Sequence, residues 1–451
     1  MKESKIGKYR WVIATLLLFS TTINYMDRQV ISYLKEFFST PIEQGGFGWT
    51  NTDFSLVTSF FTAFYAGVTI LAGYVIDKIG TKIGLALSLI IWSVFGILNA
   101  FVGGTVIAHT FVRSLFGIGE AGNFPASIKT VAEWFPKRER ALATGLFNSG
   151  SNIGAMIASL FVPWCLIFFG PQLGWKMAFI LTGAIGFVWL IFWFSIYEVP
   201  SKHKKLTKEE LDYINSDDIA VHVAPSEDVA VNETKISWGK LFSYRQTWAF
   251  FVGKFMTDGI WWFLLFWLPD YLKKQFGMTT SEVMLPTFIV YGIAIFGSIF
   301  GGRVPMFFMN KGWEAYKARM TAMLIIALFP IVLLLTQYFG DKEVFGSYAS
   351  FLAVAVICIG AAAHQAWSAN LFTTVSDLFP KKAVGSITGI GGLAGGVGGV
   401  VVQILAGRLT DFYIDTPQIA YMIMFCVCAL SYVIAWVIMK ALVPQFKPVN
   451  I

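Results

Sequence analysis

The chain has 451 residues, of which 56% are apolar, 17% aromatic and only 14% charged, whereas a soluble domain carries about 25% charged residues. That deficit excludes an ordinary soluble enzyme or binding module, and the net charge of +7 is placed in a way that argues against nucleic acid as a partner. The four cysteines, Cys165, Cys358, Cys426 and Cys428, lie in apolar stretches without metal-ligand spacing, so they read as small buried side chains.

Apolar stretches of the roughly 20 residues needed to cross a bilayer as a helix recur along the whole sequence. In lipid the backbone must bond to itself, which leaves helices or closed barrels, and these stretches are too long for barrel strands. The pattern predicts twelve spanning helices, at 11–33, 52–76, 83–103, 105–127, 141–168, 177–197, 247–271, 285–309, 320–338, 348–372, 384–407 and 418–442. The basic N-terminus followed by an apolar run resembles a signal peptide, but it has no small-residue cleavage site and Asp27-Arg28 lies near the run's far end, so it reads as the first span.

An ionisable group at mid-membrane costs about 2.5–3.5 kcal/mol on the insertion scale and is a functional candidate for that reason. The first span carries Asn24-Tyr25-Met26-Asp27-Arg28, and the fourth carries Arg113 and Glu120, two turns apart on one helix face. An arginine offers a fork to a substrate carboxylate. If a substrate anion recruits that arginine, its carboxylate partner takes a proton, which would couple anion binding to proton binding. Static ion pairing is the alternative for the same residues. Tyr65 in the second span and Asn148 and Ser151 in the fifth are further candidates for a polar cavity or for interhelical hydrogen bonds. In the seventh span Lys254 and Asp258 stand four apart and could simply pair; Trp261 and Trp262 could face the cavity or lipid. The tenth span is unusually polar, with His364, Gln365, Trp367, Ser368 and Asn370. The glycine run 389–399 in the eleventh has no following Lys-Ser/Thr, so helix packing explains it better than phosphate binding.

Charge outside the spans sets the orientation. With both ends on one side, 25 of the 34 Lys and Arg fall in the tails and even-numbered loops, against six on the other side: Lys35, Lys176, Lys273, Lys274, Lys342 and Arg408. By the positive-inside rule both termini are cytoplasmic. The one long polar stretch, 198–246, separates a first half (1–197) from a second (247–451). Within it Thr207 and Glu210 resemble a capping box, and 216–234 reads as a mobile tether. The halves repeat: EWFPKRERALATGLFNSGSNIG from Glu133 and DLFPKKAVGSITGIGGLAGGVG from Asp377 are related by an offset of 244 residues. With six spans in each, the halves run parallel, which places a substrate site between them near mid-membrane.

Gly73-Tyr-Val-Ile-Asp77-Lys78-Ile-Gly80-Thr-Lys82, between the second and third spans, resembles the loop signature of the major facilitator superfamily. Within that superfamily, Asn-Tyr-Met-Asp27-Arg28, the block Arg113-Ser-Leu-Phe-Gly-Ile-Gly-Glu120-Ala-Gly-Asn-Phe-Pro125-Ala and Glu133-Trp-Phe-Pro136 resemble the anion:cation symporter family. His364-Gln-Ala-Trp367-Ser368 is most similar to its hexuronate branch. The resemblance implies an all-α membrane fold of two pseudo-symmetric six-helix bundles, with proton-coupled import of a sugar-acid monoanion across the inner membrane. It also implies that Arg28 and Arg113 serve anion binding, that Asp27 and Glu120 carry protons, and that Tyr25, Tyr65, Trp367 and Ser368 contact the sugar. It implies no cofactor beyond the coupling protons, no metal, and one chain forming a whole carrier in its bilayer. Aldonate or aldarate transport is the nearest alternative. A membrane enzyme would need a catalytic constellation that the sequence lacks. A membrane sensor would bind such a ligand without accumulating it, and an exchanger or exporter would use the same cycle in another direction.

Overall fold

The computed structural model describes residues 7–216 and 238–449, so most of the expected tether lies outside the described residues. These residues fold into helices with no strand among them. The spans in order are Tyr9–Ser39, Asn51–Ile79, Thr81–Leu98, a broken fourth (Val106–Glu120 and Asn123–Trp134), Lys137–Phe169 and Pro171–Ile196. The second half has Arg245–Phe276, a broken eighth (Met284–Gly301 and Arg303–Met309), a ninth with a 3-10 centre (Ala315–Leu328, Phe329–Leu335 and Thr336–Phe339), Ala349–Leu378, Lys381–Phe412 and Pro417–Leu442. Ten of the helices are long and apolar enough to cross a membrane by composition alone. The first and fourth spans fall short of that measure, and they are the two that carry Asp27, Arg28, Arg113 and Glu120.

Several boundaries differ from the sequence reading. The first span continues to Ser39, because nothing in Tyr33-Leu-Lys-Glu-Phe-Phe-Ser breaks a helix before Pro41. Lys35, expected in a loop, is therefore inside that helix and buried, and Lys273 and Lys274 likewise belong to the seventh span. In the ninth span Pro330 removes a backbone donor at the start of the 3-10 segment. Thr207 does cap the short helix Lys208–Ile214 by accepting from the Glu210 amide. The Glu210 carboxylate, however, turns to Arg10 at 3.2 Å, and Arg10 also binds Glu139 at 2.7 Å. This linker helix is thus clasped to the first half.

The repeat is visible in the backbone. Phe135 and Phe379 end their helices in extended conformation, and Pro136 and Pro380 begin the next ones with nearly the same dihedrals. Gly154 and Gly398, equivalent at the 244 offset, do the same work in each half. A Cβ on Gly154 would lie 2.3 Å from the Thr22 carbonyl of the first span, and one on Gly398 would lie 2.0 Å from the Phe255 carbonyl of the seventh. Small residues let helices approach closely in lipid, and the glycine run of the eleventh span is used this way: Gly391, Gly395 and Gly399 receive Phe250, Asp258 and Trp262.

The two halves meet on the side away from the termini. Ser32 donates to the Leu265 carbonyl at 3.0 Å, and Lys35 pairs with Asp270 at 2.7 Å. Lys274 bonds Asn51 at 3.2 Å, and Lys273 pairs with Glu36. Asp411 at the end of the eleventh span accepts from the Asn51 and Thr52 amides at 2.9 and 2.7 Å, so the second span's first free donors are satisfied by the other half.

Substituting the repeat glycines tests this packing. Gly154→Ala and Gly398→Ala should each destabilise the protein by about 1–3 kcal/mol through overpacking against backbone. Gly145→Ala, where a Cβ meets nothing within 4 Å, should leave stability unchanged or slightly raised. Thermal unfolding in detergent reads the difference.

Candidate functional site

Arg28 stands a little past the middle of the first span and is buried. Its Nε donates to Glu120 Oε2 at 2.8 Å, and Nη2 is also 2.8 Å from that oxygen. Nη2 also reaches Asn24 Oδ1, one turn back, at 3.3 Å. Aromatic rings line the remaining faces of the guanidinium. Tyr25 and Tyr65 lie 4.3 and 4.6 Å from it, Phe61 lies 5.6 Å away, and Trp262 of the other half lies 5.1 Å away. A guanidinium attracts the negative face of a ring, so this cluster holds a cation between the halves while the second oxygen of Glu120 has no hydrogen-bond partner among the described residues.

Glu120 ends the helix Val106–Glu120, and the chain restarts a helix at Asn123. The break after Glu120 thus sits beside Arg28. Arg113, two turns earlier, is buried between Phe116 and Phe179 at 4.9 and 5.3 Å, and its Nε and Nη2 make no hydrogen bond among the described residues. Asp27, adjacent to Arg28, lies about 100° around the helix and turns into the first half. It lies within reach of the Thr182 and Trp92 side chains and of the Arg113 and Glu120 charges, with both carboxyl oxygens buried and without a hydrogen bond of normal geometry among the described residues. Buried polar groups are rarely left without partners. This concentration of orphaned donors and acceptors around two arginines and two acids marks the place where a polar ligand, water or a proton would be accommodated.

The other expected residues fall into distinct groups. Tyr25, Tyr65, Gln365 and Ser368 are partly exposed at this depth, and Asn148 is exposed. Ser151 is buried and its hydroxyl is bonded to the Asn148 carbonyl at 2.8 Å. His364 stacks on Trp261 with ring centres 5.1 Å apart and bonds Tyr432 through Nδ1 at 2.8 Å. Trp367 has no exposed surface and packs on Tyr432 inside the second half, so the structure does not bring it to Arg28. In the loop signature, Gly80 adopts a φ of 83° at the junction of two helices, a conformation that favours glycine. Asp77 pairs with Lys129 and Lys82 with Glu198, both at 2.8 Å. Lys78 lies over Tyr74, and a Cβ on Gly73 would meet nothing within 4 Å.

Sequence reasoning passed over Phe61, Lys35, Asp270 and Gln403. Gln403 accepts from the Trp267 indole at 2.6 Å and donates to the Trp262 carbonyl at 3.3 Å, which fixes the stretch of the seventh span that faces Arg28. Asp270 and Gln403 could have been found by their polarity inside predicted spans, Lys35 only once the true end of its helix was known, and Phe61 carried no signal that set it apart from other apolar residues. A separate groove of about 790 Å³ opens between the eighth, ninth and tenth spans, lined by residues such as Ile289, Ile293, Phe329, Val354 and Ile359. It carries no charged side chain, which makes it unsuited to an anion.

Residues 17–402 match the family described as Major Facilitator Superfamily. The hexuronate transporter of Escherichia coli (strain K12) is 29% identical over 440 residues, covering 97% of this chain and 95% of that protein. The galacturonate transporter of Dickeya chrysanthemi is 32% identical over 311 residues, covering 68% of this chain and 84% of that protein. Among solved structures, a D-xylose-proton symporter superposes with a TM-score of 0.72 at 15% identity, covering 98% of both chains, a likeness of fold. With its twelve helices, its two repeated halves and a match over most of its length, this chain belongs to the major facilitator superfamily: it is a multi-pass membrane transporter, not an enzyme.

Proposed function

We propose that the chain imports a sugar-acid monoanion, a hexuronate first among candidates, together with protons, by alternating access across the bacterial inner membrane. The observation that carries the reading is Arg28, held between the halves by Glu120 on its own side and faced by Trp262 of the other. A substrate carboxylate is a direct competitor for the Arg28 fork, since Glu120 occupies it with a single oxygen. Once displaced, Glu120 is left as a buried acid without its cation and takes a proton, so anion and proton travel together. Tyr25, Tyr65 and Trp262 supply flat apolar faces for the sugar ring and Tyr25 and Tyr65 also supply hydroxyls. Asp27, near Arg113, provides a second protonatable group. The sugar-acid transporters similar to this chain support the same substrate class.

The basic loops assign the side bearing the termini to the cytoplasm. In that orientation the bridges Lys35–Asp270, Lys273–Glu36 and Asp411 to the second span seal the outside. Rocking the halves must break these bonds and form others on the cytoplasmic side.

Uptake of labelled glucuronate and galacturonate into proteoliposomes, with pH gradient and voltage imposed separately, tests the reading. We expect an inward proton gradient to drive accumulation. Glu120→Gln should lose that accumulation while retaining exchange of labelled for unlabelled substrate, and Arg28→Ala should lose both. One proton per monoanion makes uptake insensitive to voltage; two carry one net charge, worth about 2.3 kcal/mol per 100 mV. Failure to move these acids, galactonate or glucarate would overturn the substrate class, and tight binding without transport would favour a sensor.

The outer seal has its own test. Lys35→Asp and Asp270→Lys should each lower uptake several-fold, because each leaves a buried charge facing a like charge. The double swap should recover much of the loss, a coupling that independent sites would not show.

A further inference from the structure

Two lysines are buried in the spans among the described residues, Lys35 and Lys254, and their surroundings differ. The Lys35 ammonium is engaged by Asp270 Oδ1 at 2.7 Å and Asn51 Oδ1 at 2.6 Å, and its place is the seal. Lys254, in the seventh span, has one hydrogen-bonding partner among the described residues, Asp258 at 2.5 Å. The face of Phe372 lies beside it, with Nζ 4.4 Å from the ring centre, and His364 is within electrostatic reach. An ammonium has three donors and a ring face takes up charge without fixing a donor direction, so Lys254 keeps capacity for a second anion.

Its position makes that capacity useful. Lys254, Asp258 and Trp262 follow one another at one-turn intervals, and Trp262 is the ring against Arg28. Asp258 is the more open partner of the pair, its side chain 20% exposed against 6% for Lys254, and Phe372, against the Lys254 ammonium, is 36% exposed. Gln365 and Ser368 of the tenth span, partly exposed one to two turns before Phe372, can bond hydroxyl groups. Pairing with Asp258 draws the lysine head along the helix toward Trp262, which leaves one to two turns, roughly 6–12 Å, between the two cationic levels. A six-carbon chain with a carboxylate at each end matches that interval. The second cation also lies on the opposite half from Arg28, so one ligand reaching both would tie the halves together.

We propose that Lys254 is a second anion-binding group, exchanging Asp258 for the distal carboxylate of a six-carbon sugar diacid whose other carboxylate is held at Arg28. This rests on the reading of Arg28 as the primary carboxylate site and extends it from monoacids to diacids.

The test compares galacturonate with galactarate, whose distal carbon is a ring-closing aldehyde in the first and a second carboxylate on an open chain in the other, as ligands of the full-length protein in lipid nanodiscs by calorimetry. Wild type binds both. In Lys254→Gln the affinity loss for galactarate exceeds that for galacturonate by about ten-fold or more. Lys254→Arg restores most of the difference, and Asp258→Asn, which frees the lysine, tightens galactarate relative to galacturonate. Thermal unfolding of each variant identifies the ones that are folded, and Asp258→Asn supplies an independent reading of the same site. Equal losses for both acids in folded Lys254→Gln, or no loss, would overturn the assignment. Wild type that binds galacturonate and ignores galactarate would overturn it too while leaving the monoacid reading intact. If wild type binds neither acid, the hexuronate reading fails and the diacid site fails with it.

Discussion

A guanidinium placed near the middle of a lipid bilayer has no water to turn to, and the architecture around Arg28 is the answer to that constraint. The charge is met by one carboxylate from another helix, an amide one turn away and a wall of aromatic faces, the last of them contributed by the opposite half of the molecule. The fourth span breaks directly after the carboxylate that meets it, and the two spans that fall short of an uninterrupted apolar membrane helix are the two that converge there. The rest of the protein can be read as what is needed to keep that cation both dry and reachable.

The interface between the halves is built from two materials. Glycines of the eleventh span, Gly396 and Gly407 among them, let the second span of the other half approach within backbone contact, giving a smooth surface on which helices can slide or tilt. Polar bridges are concentrated toward one end, at Lys35, Asp270, Asn51 and Asp411. Apolar contact between helices in lipid has little hydrophobic driving force of its own, so the polar bridges decide which end is closed. The linker helix, clasped to the first half through Arg10 and Glu210, moves with that half as one body.

The twelve helices and the duplicated plan were legible because lipid imposes length and polarity rules that few sequences break by accident. Arg28, Arg113, Glu120 and Asp27 were legible for the same reason: charge inside an apolar run stands out. What could not be read was direction around the helix. Asp27 and Arg28 are neighbours in sequence yet point to different compartments of the fold, and Trp261 and Trp262 divide the same way, one against His364 and one against Arg28. Tryptophan is equally at home against lipid, a cavity or a neighbouring helix, so its type carries no orientation. Lys35 was misplaced for another reason. The apolar pattern fades before the helix ends, and Lys-Glu looks like a loop until Pro41 shows where the turn must come.

Asp411 completes the first turn of a helix that belongs to the other half. When such a cap withdraws at a membrane surface, water takes over the two exposed amides at little cost, since hydration of a helix end is nearly as good as the carboxylate. The closure is therefore a latch made of replaceable bonds, and the two end states of the cycle can lie close in free energy. A carrier balanced in that way is moved by small differences in what it holds, which lets a modest gradient set the direction of travel.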